Sequence, residues 1–301
     1  MAPEYVAGRQ EVLASDPDAA VAGVESGMTI AFGGFITTGQ PWALTRALVR
    51  RGVNDLTVMA GACGGLNVDL LIGAGLVRKL IAPYVGGEVY STIGPFYQRA
   101  VERGEVEVWE CDEGIYYAGL RAAAAGLPFE PWRGGVGTSL PELNPELVPF
   151  RDPIRGELLL AVPALKPDVA LLHADRADRF GNVQHRVTPF GDRAAWKAAA
   201  RTIVEVDRLV DHSVIQATAD QTTLPGVDCV VETPFGAHPG NSYASYDEDP
   251  AELRRYAEVA RAAARQGDFN GFKKWLEERV LISHVEYVER LRLGKEPADG
   301  G

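Results

Sequence analysis

Short runs of β-branched and aliphatic residues recur at 28–32, 55–59, 77–81 and 106–109, each separated from the next by a longer stretch. Strand-length apolar runs alternating with helical patterns predict an open, largely parallel, twisted α/β sheet with flanking helices. The link over 41–51 is a well-punctuated helix, with Pro41 in its first turn, apolar residues at helical spacing, and Arg50 and Arg51 in its last turn. A second helix is expected from Ile115, just after Asp112-Glu113-Gly114, to a stop at Gly126. Over 131–157 the composition turns to Gly, Pro and polar residues, the mark of a long surface excursion around a site or a partner. The core resumes at 158–162 and 167–174. Beyond Pro250 come charged helices at 251–265 and 269–281 with no strand after them. The chain therefore divides into an N-terminal extension (1–14), one α/β domain (15–250), a helical C-terminal segment (251–295) and a loose tail (296–301).

Composition narrows the function classes. No apolar run approaches the roughly 20 residues of a membrane helix. The start, Met1-Ala2-Pro3-Glu4-Tyr5, has neither the basic nor the apolar region of a secretion signal, so a cytoplasmic protein without a membrane is expected. The 3 cysteines, Cys63, Cys111 and Cys229, are odd in number and scattered, which fits reduced thiols rather than a disulfide framework. A net charge of −11 opposes any partner bound through wide phosphate neutralisation, so no nucleic acid is expected, though one anionic cofactor in a local basic pocket remains compatible. The 5 histidines contain no pair at metal spacing, and no metal site is expected. Dinucleotide, phosphate-loop and serine-hydrolase motifs are all missing.

Glycine is placed where chemistry needs it. In Phe32-Gly33-Gly34-Phe35-Ile36-Thr37-Thr38-Gly39-Gln40-Pro41 a strand runs into two glycines and a helix follows. Backbone N–H groups freed of side chains, next to the positive end of a helix dipole, suit a carbonyl oxyanion or a carboxylate; a tight strand-to-helix turn without a ligand would use the same residues. Gly61-Ala62-Cys63-Gly64-Gly65 follows the second strand and admits the same two readings, whereas Gly73-Ala74-Gly75 looks like a helix stop. Such turns gathered on one sheet edge make a small-molecule crevice.

From Gly27 to Pro41 the pattern Gly-x-x-Ile-Ala-Phe-Gly-Gly-Phe-x-x-x-Gly-x-Pro resembles the α-subunit signature of family I coenzyme A transferases. It departs once, with Ser26 where the pattern has Asp or Asn. The resemblance continues through Asn54-Asp55-Leu56-Thr57, Asp69-Leu70-Leu71-Ile72-Gly73-Ala74-Gly75, Gly126-Leu127-Pro128-Phe129, Ala177-Asp178-Arg179-Phe180-Gly181-Asn182 and Pro234-Phe235-Gly236-Ala237-His238-Pro239, most like the glutaconate and 3-oxoadipate branch. It implies transfer of coenzyme A between an acyl-CoA and a carboxylic or dicarboxylic acid by ping-pong covalent catalysis, with coenzyme A as substrate and no permanently bound cofactor. The family places its nucleophilic glutamate in a Ser-Glu-x-Gly motif on the β subunit, and no Ser-Glu dipeptide occurs here. The resemblance thus implies half an enzyme, completed in an αβ or α2β2 assembly by a homologous β subunit. This chain would contribute the Gly33-Gly34-Phe35 turn as its oxyanion and acyl-site element, with Thr37, Thr38, Gly39, Gln40, Gly64, Gly65, Ser139 and His238 toward substrate.

Glu113 opens a second possibility. Asp112 and Glu113 at a helix start are caps favoured by the dipole. A transferase-like branch that hydrolyses a ring carbon–carbon bond in steroid-derived CoA thioesters resembles this chain locally, with an Asp-Glu-Gly there and a Gly-x-x-Ser loop like that ending at Ser139; its glutamate matching Glu113 is implicated in activating water or substrate. Among the rest, His173 reads as a satisfied core residue and His238 as a loop-orienting one. Cys111 is a poor nucleophile, since Asp112 and Glu113 beside it would raise its pKa.

Overall fold

A computed structural model describes residues 9–61 and 63–293; the expected tail over 296–301 lies outside the described residues. In chain order the elements are α1 (Pro17–Ala20), β1 (Thr29–Phe32), α2 (Trp42–Arg51), β2 (Leu56–Ala60), α3 (Leu66–Gly73), β3 (Val77–Ile81), α4 (Pro95–Glu102), β4 (Glu107–Val108) and α5 (Glu113–Ala124). Then come β5 (Phe129–Trp132), α6 (Leu140–Leu143), β6 (Val148–Arg151), β7 (Leu158–Pro163), β8 (Val169–Ala177), β9 (Asn182–Gln184), α7 (Asp192–Ala198) and β10 (Arg201–Leu209). The chain closes with α8 (His212–Ala217), β11 (Leu224–Pro225), β12 (Cys229–Glu232), α9 (Pro250–Arg261), α10 (Asn270–Arg279) and α11 (His284–Leu293).

Local chemistry explains the boundaries. Helix α2 ends at Gly52 in the left-handed region (φ 68°), where its N–H reaches back to the carbonyls of Leu48 and Val49. Asp112 caps α5 by accepting the N–H of Ile115 at 2.7 Å, and Asp249 caps α9 through the N–H of Glu252 at 3.0 Å. The glycines at 73–75 do stop a helix, with Gly75 at φ 77°.

The main sheet runs β12-β10-β8-β1-β2-β3-β4, parallel throughout, with β9 and β11 attached antiparallel at the far end of β8. Strands 2 to 4 build outward from β1 in one direction, while β8, β10 and β12 build outward in the other. The order therefore reverses between β1 and β8, the place where an open α/β sheet leaves a crevice beyond its strand ends. One face is covered by α1 to α4, α9 and α10, with Trp42, Leu44, Phe96, Tyr256 and Trp275 in its core; the other is covered by α5, α7 and a small second sheet around Trp109, Tyr116 and Leu172. Strands buried on both faces read as the continuous apolar runs seen in the sequence.

The stretch over 131–157 is more built than a surface excursion. It carries β6 and, with its flanks, makes a three-stranded antiparallel sheet in the order β5-β7-β6. The apolar run at 158–162 is the middle strand of that sheet and not a strand of the main one. Its burial alternates, with Leu160 and Val162 buried and Leu159, Ala161 and Pro163 between them part-exposed, as a strand covered on one face requires. In the N-terminal extension, residues 12–14 lie beside β12: the N–H of Ala14 reaches the Val230 carbonyl at 2.9 Å and the N–H of Val230 the Val12 carbonyl at 2.7 Å.

Candidate active site

Strand β1 delivers Gly33 and Gly34 into the crevice at the switch point. The N–H of Gly33 donates to the carbonyl of Leu171 in β8 at 3.0 Å, and the N–H of Gly34 donates to the Asp192 carboxylate at 2.9 Å. Gly34 has φ 78°, and a Cβ there would stand 2.5 Å from the Gly39 carbonyl oxygen. Only glycine meets both demands. Phe35 and Thr38 then pair backbone to backbone, with N–H to carbonyl distances of 2.8 Å in each direction, so the N–H groups of Gly33, Gly34 and Phe35 are all engaged within the chain and the turn, expected to offer them to an oxyanion, instead presents a side-chain-free wall. The ring of Phe35 stacks on Phe190 with centroids 5.2 Å apart.

The second glycine turn touches the first. The N–H of Ile36 reaches the Cys63 carbonyl at 3.1 Å, and a Cβ on Gly65 would fall 2.2 Å from the Ile36 carbonyl oxygen. Gly65 is thus the absence of a side chain that lets the two turns meet, with Gln40 packed on the same spot. Gly64 is bonded to the segment at 84–86, through the N–H of Gly64 to Tyr84 and the N–H of Gly86 to Gly64. From the opposite side the loop over 234–249 closes in. Asn241 donates its N–H to the Thr37 carbonyl at 2.8 Å and accepts that of Gly39 at 2.9 Å. Gly33, Gly34, Phe35, Thr37, Thr38, Gly39, Gln40, Gly64 and Gly65 therefore belong to one contiguous rim.

Three expected residues stand at different distances from it. Glu113 is exposed at the start of α5, and its charge, with those of Asp192 and Cys63, acts on Tyr117; burial first and Glu113 second push the Tyr117 hydroxyl up to about 12. That hydroxyl lies where a Cβ on Gly191 would be 2.4 Å away and one on Gly61 3.4 Å, so it is Tyr117, one turn further along α5, that borders the second glycine turn. Ser139 is exposed at the start of α6, in a loop whose Gly135 sits near Ile115 of α5. His238 is buried and bound elsewhere: its Nδ1 is 2.7 Å from the Tyr287 hydroxyl and its Nε2 3.3 Å from Asp249. It ties the loop over 234–249 to α11.

A buried polar group beneath the rim escaped the sequence reading. His173, treated there as an ordinary core residue, has Nδ1 3.1 Å from Glu205 and Nε2 3.6 Å from Asp207. Burial, the largest single influence, pulls its pKa down, but Asp207 and Glu205 together outweigh it and hold the ring cationic, up to about 10. Asp207 also accepts the Ser242 hydroxyl at 2.6 Å and is held below the usual carboxylate range, His173 and Ser242 outweighing its burial. Alongside, His185 lies 3.1 Å from Asp192 and 2.6 Å from the Thr223 hydroxyl. Gly34, His173, Asp175, His185 and Asp192, with Thr38 and Gly39 of the rim, line a part-open cavity of about 20 Å³, room for a water. The available signal was the alternation Glu205-Val206-Asp207 inside an apolar strand, legible only once β10 is paired with β8.

Burial pushes the Cys111 thiol up to about 12, with Asp112 and Glu110 adding to it; the rise expected from Asp112 and Glu113 thus comes chiefly from burial, and Glu110 stands in the place expected of Glu113. Among the described residues no group of three or more His, Cys, Asp or Glu side chains is disposed to hold a metal, and no helix is long and apolar enough to cross a membrane.

Comparison with known proteins places this geometry. The family model described as coenzyme A transferase matches residues 14–232. Curated relatives include the cholesterol ring-cleaving hydrolase IpdA subunit of Rhodococcus jostii, 38% identical over 81% of this chain and 86% of that one. The corresponding chain of the glutaconate CoA-transferase of Acidaminococcus fermentans is 32% identical over 91% of this chain and 90% of its own length. The crystal structure of the glutaconate coenzyme A-transferase from Acidaminococcus fermentans superposes with a TM-score of 0.85 at 30% identity, covering 93% of this chain and 92% of that one. With the family model spanning most of the α/β domain and the same fold recovered over nearly the whole chain, the protein belongs to the coenzyme A transferase family.

Proposed function

We propose that this chain is the α subunit of a two-chain cytoplasmic coenzyme A transferase that moves coenzyme A between an acyl-CoA and a carboxylic or dicarboxylic acid. The observation that carries the reading is the side-chain-free Gly33-Gly34 turn set at the strand-order reversal, rimmed by a second glycine turn and bordered by a part-open cavity with room for a water. A thioester laid across that rim meets backbone and the Phe35 ring, with space for a carboxylate to approach from outside the chain. The nucleophilic glutamate belongs to a homologous β subunit, in an αβ or α2β2 assembly. Its carboxylate attacks the thioester carbonyl and expels coenzyme A thiolate, leaving an acyl-glutamyl anhydride. The thiolate then attacks the glutamyl carbonyl, releasing the first acid and leaving a glutamyl-CoA thioester. An incoming carboxylate repeats the exchange in reverse and departs as the new acyl-CoA. Thr37, Thr38, Gly39, Gln40, Gly64 and Gly65 form the rim along which the acyl-CoA lies, and coenzyme A is substrate throughout.

One observation favours a second reading, hydrolysis or carbon–carbon ring opening of a CoA thioester. Glu113 is an exposed carboxylate at a helix start, one turn before Tyr117 on α5, and the IpdA relative is named a ring-cleaving hydrolase. Intact-mass spectrometry of the co-expressed two-chain complex, incubated with a panel of acyl-CoA thioesters, separates the two. A coenzyme A adduct on the β chain supports transfer. Consumption of a thioester without an adduct, stopped by Glu113→Gln, replaces transfer by hydrolysis.

A further inference from the structure

The loop joining β9 to α7 is pinned at both ends by a single contact, His185 Nε2 to Asp192 Oδ2 at 3.1 Å. Asp192 is 2% exposed, and its other oxygen accepts the N–H of Gly34 at 2.9 Å. We propose that Asp192 and His185 are positioning residues for the Gly33-Gly34 turn, fixing the wall on which the acyl group is oriented; this rests on the reading of that turn as part of the acyl site.

The hydrogen bonds define a continuous chain. The Thr223 hydroxyl lies 3.2 Å from the Val183 carbonyl and 2.6 Å from His185 Nδ1. If the hydroxyl donates to Val183, His185 donates from Nδ1; the short approach of Nε2 to the carboxylate then also requires a proton between them. If the hydroxyl instead turns to Nδ1, the neutral ring carries its hydrogen on Nε2 and donates to Asp192. In both arrangements Oδ2 is engaged by the imidazole, and Oδ1 is left for Gly34. Gly33 reports the same design, because a Cβ there would stand 2.5 Å from Asp192 Oδ1: the first glycine of the turn makes way for this carboxylate. The loop grips the turn a second time through the Phe190 ring stacked on Phe35. With this clamp in place the Gly34 N–H is taken up by Asp192 and is not offered to substrate, and the turn presents a fixed backbone surface.

The test uses the two-chain complex carrying Asp192→Ala, Asp192→Asn, His185→Gln or Thr223→Val, read by deuterium uptake of the peptide covering 32–38 and by kcat and KM for the preferred acyl-CoA. Asp192→Ala should speed exchange at Gly34 and lower kcat about 100-fold, with KM changed less than about threefold, since a wall displaced by an ångström misorients rather than releases substrate. Asp192→Asn keeps an oxygen for Gly34 and an N–H₂ toward His185, and should recover both readouts to within about fivefold. Unchanged exchange and kcat in Asp192→Ala, or equal losses in Ala and Asn, would overturn the proposal. Should Asp192→Ala fail to assemble, His185→Gln and Thr223→Val decide it: each should raise exchange at Gly34 and lower kcat, and wild-type values in both sink the idea. If the wild-type complex transfers no coenzyme A, the functional reading fails, while the exchange data still decide whether the clamp exists.

Discussion

Glu205 and His173 face each other in register across β10 and β8, and the same glutamate reaches past the histidine to accept the N–H of Leu44 in the first turn of α2 at 2.8 Å. One carboxylate thus joins the strand beneath the rim to the helix that follows the glycine turn. Its second partner, cationic His173, also balances Asp207. Replacing His173 with Gln leaves two buried carboxylates side by side on one face of β10 without their shared cation and should cost about 3–5 kcal/mol at neutral pH. The pH dependence has a definite sign. The folded pKa is raised from 6.5 to about 10, so the stabilisation is complete below 6.5, declines above it, and is gone once pH has passed about 10. Chemical unfolding of wild type and His173→Gln over that range checks it; a difference that grows with pH would refute the assignment.

Gly34 and Gly39 both have positive φ, at 78° and 59°, yet they differ in space. A Cβ on Gly39 meets nothing nearer than 4.0 Å, whereas one on Gly34 is driven to 2.5 Å from a carbonyl oxygen. Gly39→Ala should therefore cost about 1 kcal/mol, the left-handed strain alone, and keep most activity. Gly34→Ala, with the collision added, should lose activity about 100-fold while the two-chain complex still forms. Parallel kinetics and size-exclusion profiles compare them, and equal activities would remove the turn from the mechanism.

Glu113→Gln keeps the shape at an exposed helix start. Its stability should change by no more than about 0.5 kcal/mol. Coenzyme A transfer should stay within about twofold of wild type, and a loss on the order of 100-fold would move catalysis to this carboxylate as acid or base.

Arg46 lies 3.9 Å over the Tyr287 ring, 3% exposed, and donates to the His238 carbonyl at 2.9 Å. Burial pulls its pKa down, with Tyr287 and Glu205 opposing that pull. Arg46→Ala removes a desolvated cation–π contact and the 2.9 Å donor to the His238 carbonyl, leaving the Tyr287 hydroxyl at 3.5 Å on that oxygen, a loss of about 3 kcal/mol. Arg46→Lys should rescue little, because a point charge neither stacks nor reaches the carbonyl in the same geometry. Thermal unfolding with limited proteolysis of α11 measures both; full rescue by Lys would show that charge alone matters here.

Local patterns were enough to set the class of fold, the glycine turns and the helical C-terminal segment. Apolar periodicity, a proline at a helix start, an aspartate cap and a glycine at a helix end act over three to five residues, and each is written in consecutive letters. The family resemblance was legible for the same reason, since its signature is the strand, turn and helix over 27–41. Strand order was not. That β8 lies beside β1, that 158–162 belongs to a second sheet, and that Asp192 meets Gly34 or Glu205 meets His173 are contacts between residues 158 and 32 positions apart. They arise because crossover helices bring distant strands into register and because buried polar groups must find partners, wherever in the chain those partners lie. The sequence by itself supplied the backbone device at the candidate site, and only the tertiary structure decided which side chains hold it still.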